Sequence, residues 1–283
     1  IFSLSVETFF LLKIKKENLN KISLEKIDTI PELCGTFFKN IKDIDVYPLG
    51  GISNVPVKLE NRLSKKITKE NTDNFGFKNS IKWSISDQIN FIFIGDSFTY
   101  GSDVAHNEGF VDFFSLNYPN TLNLGCGGSG PVIQRGIFHE YIKKVKPNYV
   151  IWNLNLGNDI NSDLPSELNT FYKNYLDFNF SQNLLFKQRL IDDLFNRYWI
   201  KYIEKKNNEI KLNRFNKDAN FYNNINFLSI LKFNSLRNYL GLNFSFSQST
   251  FEIFKLILDE VKKDTNSWNG KLIVNVIPSE QKF

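Results

Sequence analysis

Four short apolar runs, separated by stretches with helical periodicity, constrain the fold of this chain more than any other feature. The strand candidates are INFIFIG (89–95), NTLNLG (120–125), NYVIWNL (148–154) and KLIVNVI (271–277). Runs of this length that are apolar at most positions are typical of strands buried on both faces, as in a parallel sheet covered by helices. The pattern therefore predicts an α/β domain over residues 89–283.

The segments between these strands carry the helical patterns. PVIQRGIFHEYIKKVK (131–146) begins with a proline, which suits a first helical turn, and repeats apolar residues along one stripe. STFEIFKLILDEVKKD (249–264) opens with a serine and a glutamate at capping-box spacing. Residues 165–248 are too long for a simple crossover, so we expect a mostly helical insertion there, with one helix around 184–202.

The N-terminal part lacks this alternation of apolar runs and helical stretches. Residues 1–20 begin with an apolar stretch followed by KIKK and are expected to be the end of a membrane anchor, although Glu7 favours an ordinary amphipathic helix. Residues 21–88 have no long periodic stretch and are interpreted as an irregular lead-in segment. Because the chain contains no methionine, we expect it to be cut at both ends.

Charge and cysteine content bear on whether the protein binds nucleic acid or a metal ion. The net charge of +5 comes from lysines scattered along the chain, without a basic block, so no nucleic-acid partner is expected. Cys34 and Cys126 allow at most one disulfide and match no metal-ligand spacing, so no metal site is expected. The sequence alone leaves open whether they pair.

One serine directly follows the carboxyl end of the first strand candidate. In FIFIGDSFTYG (91–101), Ser97 lies just beyond the carboxyl end of that strand, where open α/β sheets bind their ligands. The lipase-type pattern Gly-x-Ser-x-Gly is not present around it. Ser97 is therefore a candidate nucleophile of a different serine-enzyme class.

Three motifs in order along the chain identify that class by resemblance. GDSFTYG resembles the first motif of the SGNH (GDSL-like) hydrolases, and NLGCGGSGP places Gly128 where the second motif has its glycine. NLNLGNDI places Asn158 where the third motif has its asparagine, although here Gly157 directly precedes it, whereas the family usually has Gly-x-Asn-Asp. Further stretches, such as PLGGISN and TDNFGF, resemble a bacterial subgroup that often carries an N-terminal membrane segment.

The resemblance implies a fold and a chemistry. The fold would be flavodoxin-like, with three layers (α/β/α) around a central parallel sheet. Ser97 would be the nucleophile of an esterase or O-acyltransferase, and Gly128 and Asn158 would donate hydrogen bonds to the oxyanion, supported by Asp96 and Asp159. The substrate would be a small-molecule or glycan ester, no cofactor would be needed, and the protein would lie at the extracytoplasmic face of a bacterial membrane or in the periplasm.

The catalytic base is not evident from the sequence. His139 is expected on the solvated side of its helix, and His106 lies in a loop where nothing places it against Ser97. In SGNH proteins the base comes from an Asp-x-x-His motif after the last strand, so we expect it beyond Phe283. Residues 1–283 alone should then be nearly inactive.

Two other kinds of protein remain possible from the sequence. A non-catalytic member could keep the same fold as a binding or assembly module. A flavodoxin-like nucleotide binder is less well supported, because GDSFTYG lacks the glycine-rich pattern of a phosphate cradle.

Overall fold

The structure, a computed structural model, describes residues 34–198 and 248–277. Its strands are β1 (Pro56–Glu60), β2 (Ile67–Asn71), β3 (Phe91–Ile94), β4 (Thr121–Asn123), β5 (Tyr149–Asn155) and β6 (Lys271–Ile277). The last four form a parallel sheet in the order β4-β3-β5-β6, and β1 and β2 form a separate antiparallel hairpin. The predicted α/β class and the four predicted strands are confirmed, and the strand order is compatible with a flavodoxin-like fold.

The helices lie between these strands. They are α1 (Ser97–Tyr100), α2 (Phe110–Asn117), α3 (Pro131–Ile137), α4 (Leu164–Glu167), α5 (188–198) and α6 (Gln248–Ser267). Helix α3 continues without a break through a π-helical turn, Phe138–Ile142, and a last α-turn, Lys143–Val145. It ends at Lys146, whose φ of 56° leaves the helical region just before Pro147. The helix predicted over 131–146 is thus confirmed.

Alternation along the strands explains why their sequences are apolar almost throughout. Ile92 and Trp152 belong to the main core together with Ile133 of α3 and other residues of α3 and α6. Their neighbours Phe93 and Ile151 point to the opposite face, where they pack against Val111 of α2. Because helices cover both faces of β3 and β5, these two strands carry apolar side chains on both sides, whereas most side chains of β6 are exposed in the described residues.

Residues 34–88 extend the same core. Phe38, Leu49, Phe77 and Trp83 are buried in the main cluster with the sheet residues. The β1–β2 hairpin packs on Tyr100 of α1 through two of its own side chains. The sequence analysis missed this hairpin, because its strands have only five residues each and Ile67 is the one apolar residue of β2, so the hydrophobic signal is weak.

Two expectations concern parts of the chain outside the described residues. The anchor predicted over residues 1–20 lies wholly outside them, and so does most of the predicted insertion after residue 198. The insertion's first part contains short 3₁₀ turns, Phe171–Leu176 and Leu184–Phe186, followed by α5. Within 34–198 and 248–277, no helix is both long enough and apolar enough to cross a bilayer.

A disulfide joins the lead-in segment to the sheet domain. Cys34 and Cys126 are bonded across 92 residues of sequence, and both are buried in the main core. The bond therefore connects the start of the 3₁₀ turn Gly35–Phe38 to the loop after β4. Closing a loop of this length lowers the entropy of the unfolded chain.

We expect the double substitution Cys34→Ala/Cys126→Ala to lower the free energy of unfolding by about 4–5 kcal/mol, the loop-closure entropy for a cross-link of this length. Urea unfolding of the wild-type and double-variant proteins measures the difference. The same unfolding of the wild type after reduction by a dithiol should match the variant. Equal stability of oxidised wild type and variant would show that the bond does not constrain the unfolded chain.

Candidate active site

The candidate residues lie on three loops at one edge of the sheet. Because β3, β4 and β5 are parallel, the loops that follow them leave from the same edge. Ser97 follows β3, Gly128 follows β4 and Asn158 follows β5. The first two loops are also bonded to each other, since the Cys126 N–H donates to the Gly95 carbonyl at 2.9 Å.

Ser97 occupies the first position of α1 and is half-buried. Asp96 caps this short helix, because its side chain accepts from the Phe98 N–H at 2.9 Å. The residue before it must be glycine, because a Cβ at Gly95 would lie only 2.2 Å from Thr99 Oγ1. Within the described residues, neither the N–H nor the hydroxyl of Ser97 donates a hydrogen bond, so both can serve a ligand.

Gly128 lies at the exposed tip of the loop after β4. Its φ of +68° is in the left-handed region, which favours glycine. Its N–H donates to no residue in the described ranges. Two residues that the sequence analysis did not single out contact this loop: Thr36 Oγ1 donates to the Gly127 carbonyl at 2.7 Å, and Lys39 Nζ donates to the Gly128 carbonyl at 3.4 Å.

Asn158 is half-buried after β5, and a neighbouring carboxylate orients its side chain. Its Nδ2 donates to Asp163 Oδ2 at 2.7 Å, which uses one of the two amide hydrogens. The second hydrogen remains for a ligand. Asp163 also approaches the second loop closely, since a Cβ at Gly130 would lie 2.7 Å from the Asp163 Cβ.

A buried network ties the β3 and β5 loops together. Asn155 Nδ2 donates to Asp96 Oδ2 at 3.1 Å, and the Asn155 N–H donates to Asp159 Oδ2 at 2.9 Å. Burial, and secondly the nearby Asp96 carboxylate, raise the pKa of Asp159 to about 8. Asp159 is therefore mainly protonated, and neutral, at pH 7.

Another buried carboxyl group caps helix α3. Glu167 accepts from the N–H groups of Gly130 at 2.5 Å and Val132 at 2.9 Å. Burial raises the pKa of Glu167 to about 7, while the Lys39 ammonium opposes this rise. Glu167 thus occupies the helix N-terminus where a phosphate would otherwise bind, which argues against the nucleotide-binding alternative.

Neither histidine is hydrogen-bonded to Ser97 in the described residues. The His106 side chain is only 9% exposed, contacts Glu70 on β2, and lines a cavity together with Lys78 and Asp112. Burial lowers the pKa of His106. No hydrogen bond joins its imidazole to Ser97.

The solvated position expected for His139 is wrong. The residue is half-buried, and burial, followed by the charge of Arg135, lowers its pKa. The reason is that α3 is buried on nearly all sides, because α6 and the turns around 171–186 pack against it. A residue away from the main apolar stripe is therefore covered as well.

No protein-family model, curated protein or solved structure matches this sequence. The structure itself shows a parallel α/β domain in which a serine, a glycine-rich loop and an asparagine follow strands at one edge of the sheet. Across 34–198 and 248–277, no group of three or more metal-ligating side chains is placed to hold a metal ion.

Asp159→Asn should remove a pH-dependent loss of stability. The folded-state pKa of Asp159 is raised to about 8, so its contribution to stability is largest below the unfolded-state pKa, about 4, and is lost as pH rises toward 8. The asparagine cannot ionise and can still accept from Asn155. Between pH 5 and 7, the free energy of unfolding should fall in the wild type relative to the variant by about 1 kcal/mol per pH unit.

Urea unfolding at pH 5, 6 and 7 measures this difference. Asp193→Asn, which neutralises an exposed carboxylate on α5, is the matched control and should follow the wild type. Parallel pH profiles for wild type and Asp159→Asn would contradict the assignment of a neutral buried Asp159.

Proposed function

We propose that this protein is an SGNH-type serine esterase or O-acyltransferase that forms an acyl-Ser97 intermediate. One observation carries the proposal: the residues of three separate sequence motifs, Ser97, Gly128 and Asn158, follow three adjacent parallel strands at the same sheet edge. A structural role alone does not require a serine, a glycine and an asparagine at these three points. The SGNH variant of the flavodoxin-like fold is part of the same proposal.

In the first step, Ser97 Oγ attacks the carbonyl carbon of an ester while a general base takes its proton. The negative charge on the carbonyl oxygen is stabilised by the Ser97 N–H, the Gly128 N–H and the second amide hydrogen of Asn158. Each donor is uncommitted within the described residues, as an oxyanion site requires. Losing one such donor raises the barrier by about 3 kcal/mol.

In the second step, the ester C–O bond breaks and the alcohol leaves with the proton that the base had taken. A hydroxyl acceptor then attacks the acyl-Ser97 ester and gives its proton to the base, and the bond between the acyl group and Ser97 Oγ breaks as Ser97 regains a proton. Water as acceptor gives a hydrolase, whereas a sugar hydroxyl gives an O-acyltransferase. The donors at the oxyanion serve both outcomes, because both pass through the same kind of tetrahedral intermediate.

Two acidic side chains support the loops that carry the proposed oxyanion donors. Asp163 holds the Asn158 amide so that its NH₂ group, a donor, is fixed in place. Asp159 is neutral near pH 7 because burial raises its pKa to about 8. An ionised carboxylate at the same point would repel the oxyanion.

The proposed substrates are acyl esters of small molecules or surface glycans. Phe98 follows the nucleophile directly and is 55% exposed, so it is available to contact an acyl or sugar group. The Cys34–Cys126 disulfide supports an extracytoplasmic or periplasmic location, since disulfides persist mainly in oxidising compartments.

A non-catalytic binding or assembly module is the second candidate. The observation that favours it is that neither His106 nor His139, the two histidines of the chain, is hydrogen-bonded to Ser97: His106 contacts Glu70, and His139 is half-buried on the helix that continues α3. A serine hydroxyl without a base is a weak nucleophile. Such a module would bind glycan esters at the same sheet edge and would not turn them over.

Substitution of the nucleophile separates the two candidates. In the intact protein, Ser97→Ala should lower kcat for aryl esters and acetylated glycans by on the order of 10³-fold or more, because the acyl intermediate cannot form. Initial rates of ester cleavage measure this loss. Ser115→Ala, which removes a hydroxyl from α2, is the control and should keep wild-type rates.

Binding without cleavage would support the second candidate. If wild type and Ser97→Ala bind an acetylated glycan with the same Kd and neither cleaves it, the protein is a binding module. Serine-dependent turnover that His106→Ala abolishes would make His106 the base and overturn its assignment to the Glu70 contact.

A further inference from the structure

Three consecutive residues of the candidate oxyanion loop are held by one short segment of the N-terminal region. The disulfide from Cys34 holds Cys126, Thr36 Oγ1 donates to the Gly127 carbonyl at 2.7 Å, and Lys39 Nζ donates to the Gly128 carbonyl at 3.4 Å. Residues 34–39 are called the clamp below. The clamp lies far from the three motifs in sequence, so its contact with the loop arises only in the folded chain.

The clamp is itself firmly anchored. Phe38 is fully buried and packs edge-on against Phe195 of α5, with ring centroids 4.7 Å apart. The hydroxyl of Tyr172 lies 2.8 Å from the Gly35 carbonyl oxygen and 2.7 Å from that of Pro48. Because these contacts reach different parts of the core, the clamp offers a fixed support to the loop.

The tip of this loop needs such a support, because Gly128 is exposed whereas the residues on either side of it are buried. Glycines occupy four of its six positions in GCGGSG (125–130), and glycine loses more backbone freedom on ordering than any other residue. A Cβ at Gly128 would come within 4 Å of Thr36 alone, so this side of the peptide is otherwise open. Without an external restraint, the direction of the Gly128 N–H would be poorly defined.

Thr36 acts on the same peptide unit that carries the Gly128 N–H. The Gly127 carbonyl and the Gly128 N–H belong to one planar peptide group and point in opposite directions. A hydrogen bond that fixes the carbonyl oxygen therefore also fixes the direction of the N–H. Accepting a hydrogen bond also polarises the peptide and strengthens its N–H as a donor.

We propose that Thr36 is a positioning residue for the oxyanion site: its hydroxyl fixes the Gly127–Gly128 peptide so that the Gly128 N–H is aimed at the oxyanion. The disulfide and Lys39 hold the flanking residues of the same loop. The inference rests on the proposed function only in naming Gly128 as an oxyanion donor; the restraint on its peptide can be tested without any activity.

The test compares Thr36→Val, which keeps the shape of the side chain and removes the hydroxyl, with Thr36→Ser, which keeps the hydroxyl. In ¹⁵N-labelled intact protein, Thr36→Val should shift and broaden the Gly128 amide resonance, and Thr36→Ser should leave it close to wild type. Thr36→Val should also lower kcat for an aryl ester by about 10- to 100-fold with little change in KM, because an oxyanion donor acts in the transition state.

Thr265→Val is the matched control. The Thr265 hydroxyl is buried, whereas Thr36 is half-buried, but it likewise donates at 2.7 Å, to the Val261 carbonyl within α6. This variant loses a similar hydrogen bond and should leave both the Gly128 resonance and kcat unchanged.

The outcomes separate the inference from the proposed function. If no variant cleaves esters but Thr36→Val alone disturbs the Gly128 amide, the positioning of the peptide stands and the esterase proposal fails. An unchanged Gly128 resonance in Thr36→Val would overturn the inference, and so would a disturbance that Thr36→Ser fails to rescue, because the hydroxyl would then not be the cause.

Discussion

Parallel pairing of β3 with β4 on one side and β5 on the other is the constraint on which the rest of the structure depends. The register places Phe91 opposite both Thr121 and Tyr149, so the three strands start level with one another. Their following loops therefore leave from one edge, and residues far apart in sequence become neighbours. Helices on both faces bury the strands and make this arrangement stable.

Carboxyl groups organise the polar part of that edge. Asp96 caps α1, Glu167 caps α3, and Asp163 orients the Asn158 amide. Burial raises the pKa of Asp159 to about 8 and that of Glu167 to about 7, which lowers the negative charge that these two groups carry near neutral pH. Glu167 satisfies the N-terminus of α3 internally, so this helix end is not open to a phosphate.

Sequence patterns predicted the elements that repeat a hydrophobic period or match a motif. The strands and the long helix α3 are confirmed nearly at their expected bounds, and Ser97, Gly128 and Asn158 follow the strands that their motifs indicated. Long-range contacts were not predicted, because a side-chain hydroxyl or carboxyl group carries no signal in the sequence of its distant partner. Thr36 and Glu167 were missed for this reason, and His139 was misplaced because helical periodicity does not reveal what packs on a helix's other sides.

The sequence by itself determined the α/β class and the position of each motif at a strand end, since both follow from local hydrophobic period and short-range turn residues. Tertiary structure decided which groups meet: Cys34 with Cys126, Thr36 with the Gly127 carbonyl, and Glu167 with the first turn of α3. Tertiary structure also decided the protonation state of Asp159, because the pKa of this carboxyl group rises only when the packed chain excludes water from the group. These properties depend on distances between segments that are distant in sequence, and only folding sets those distances.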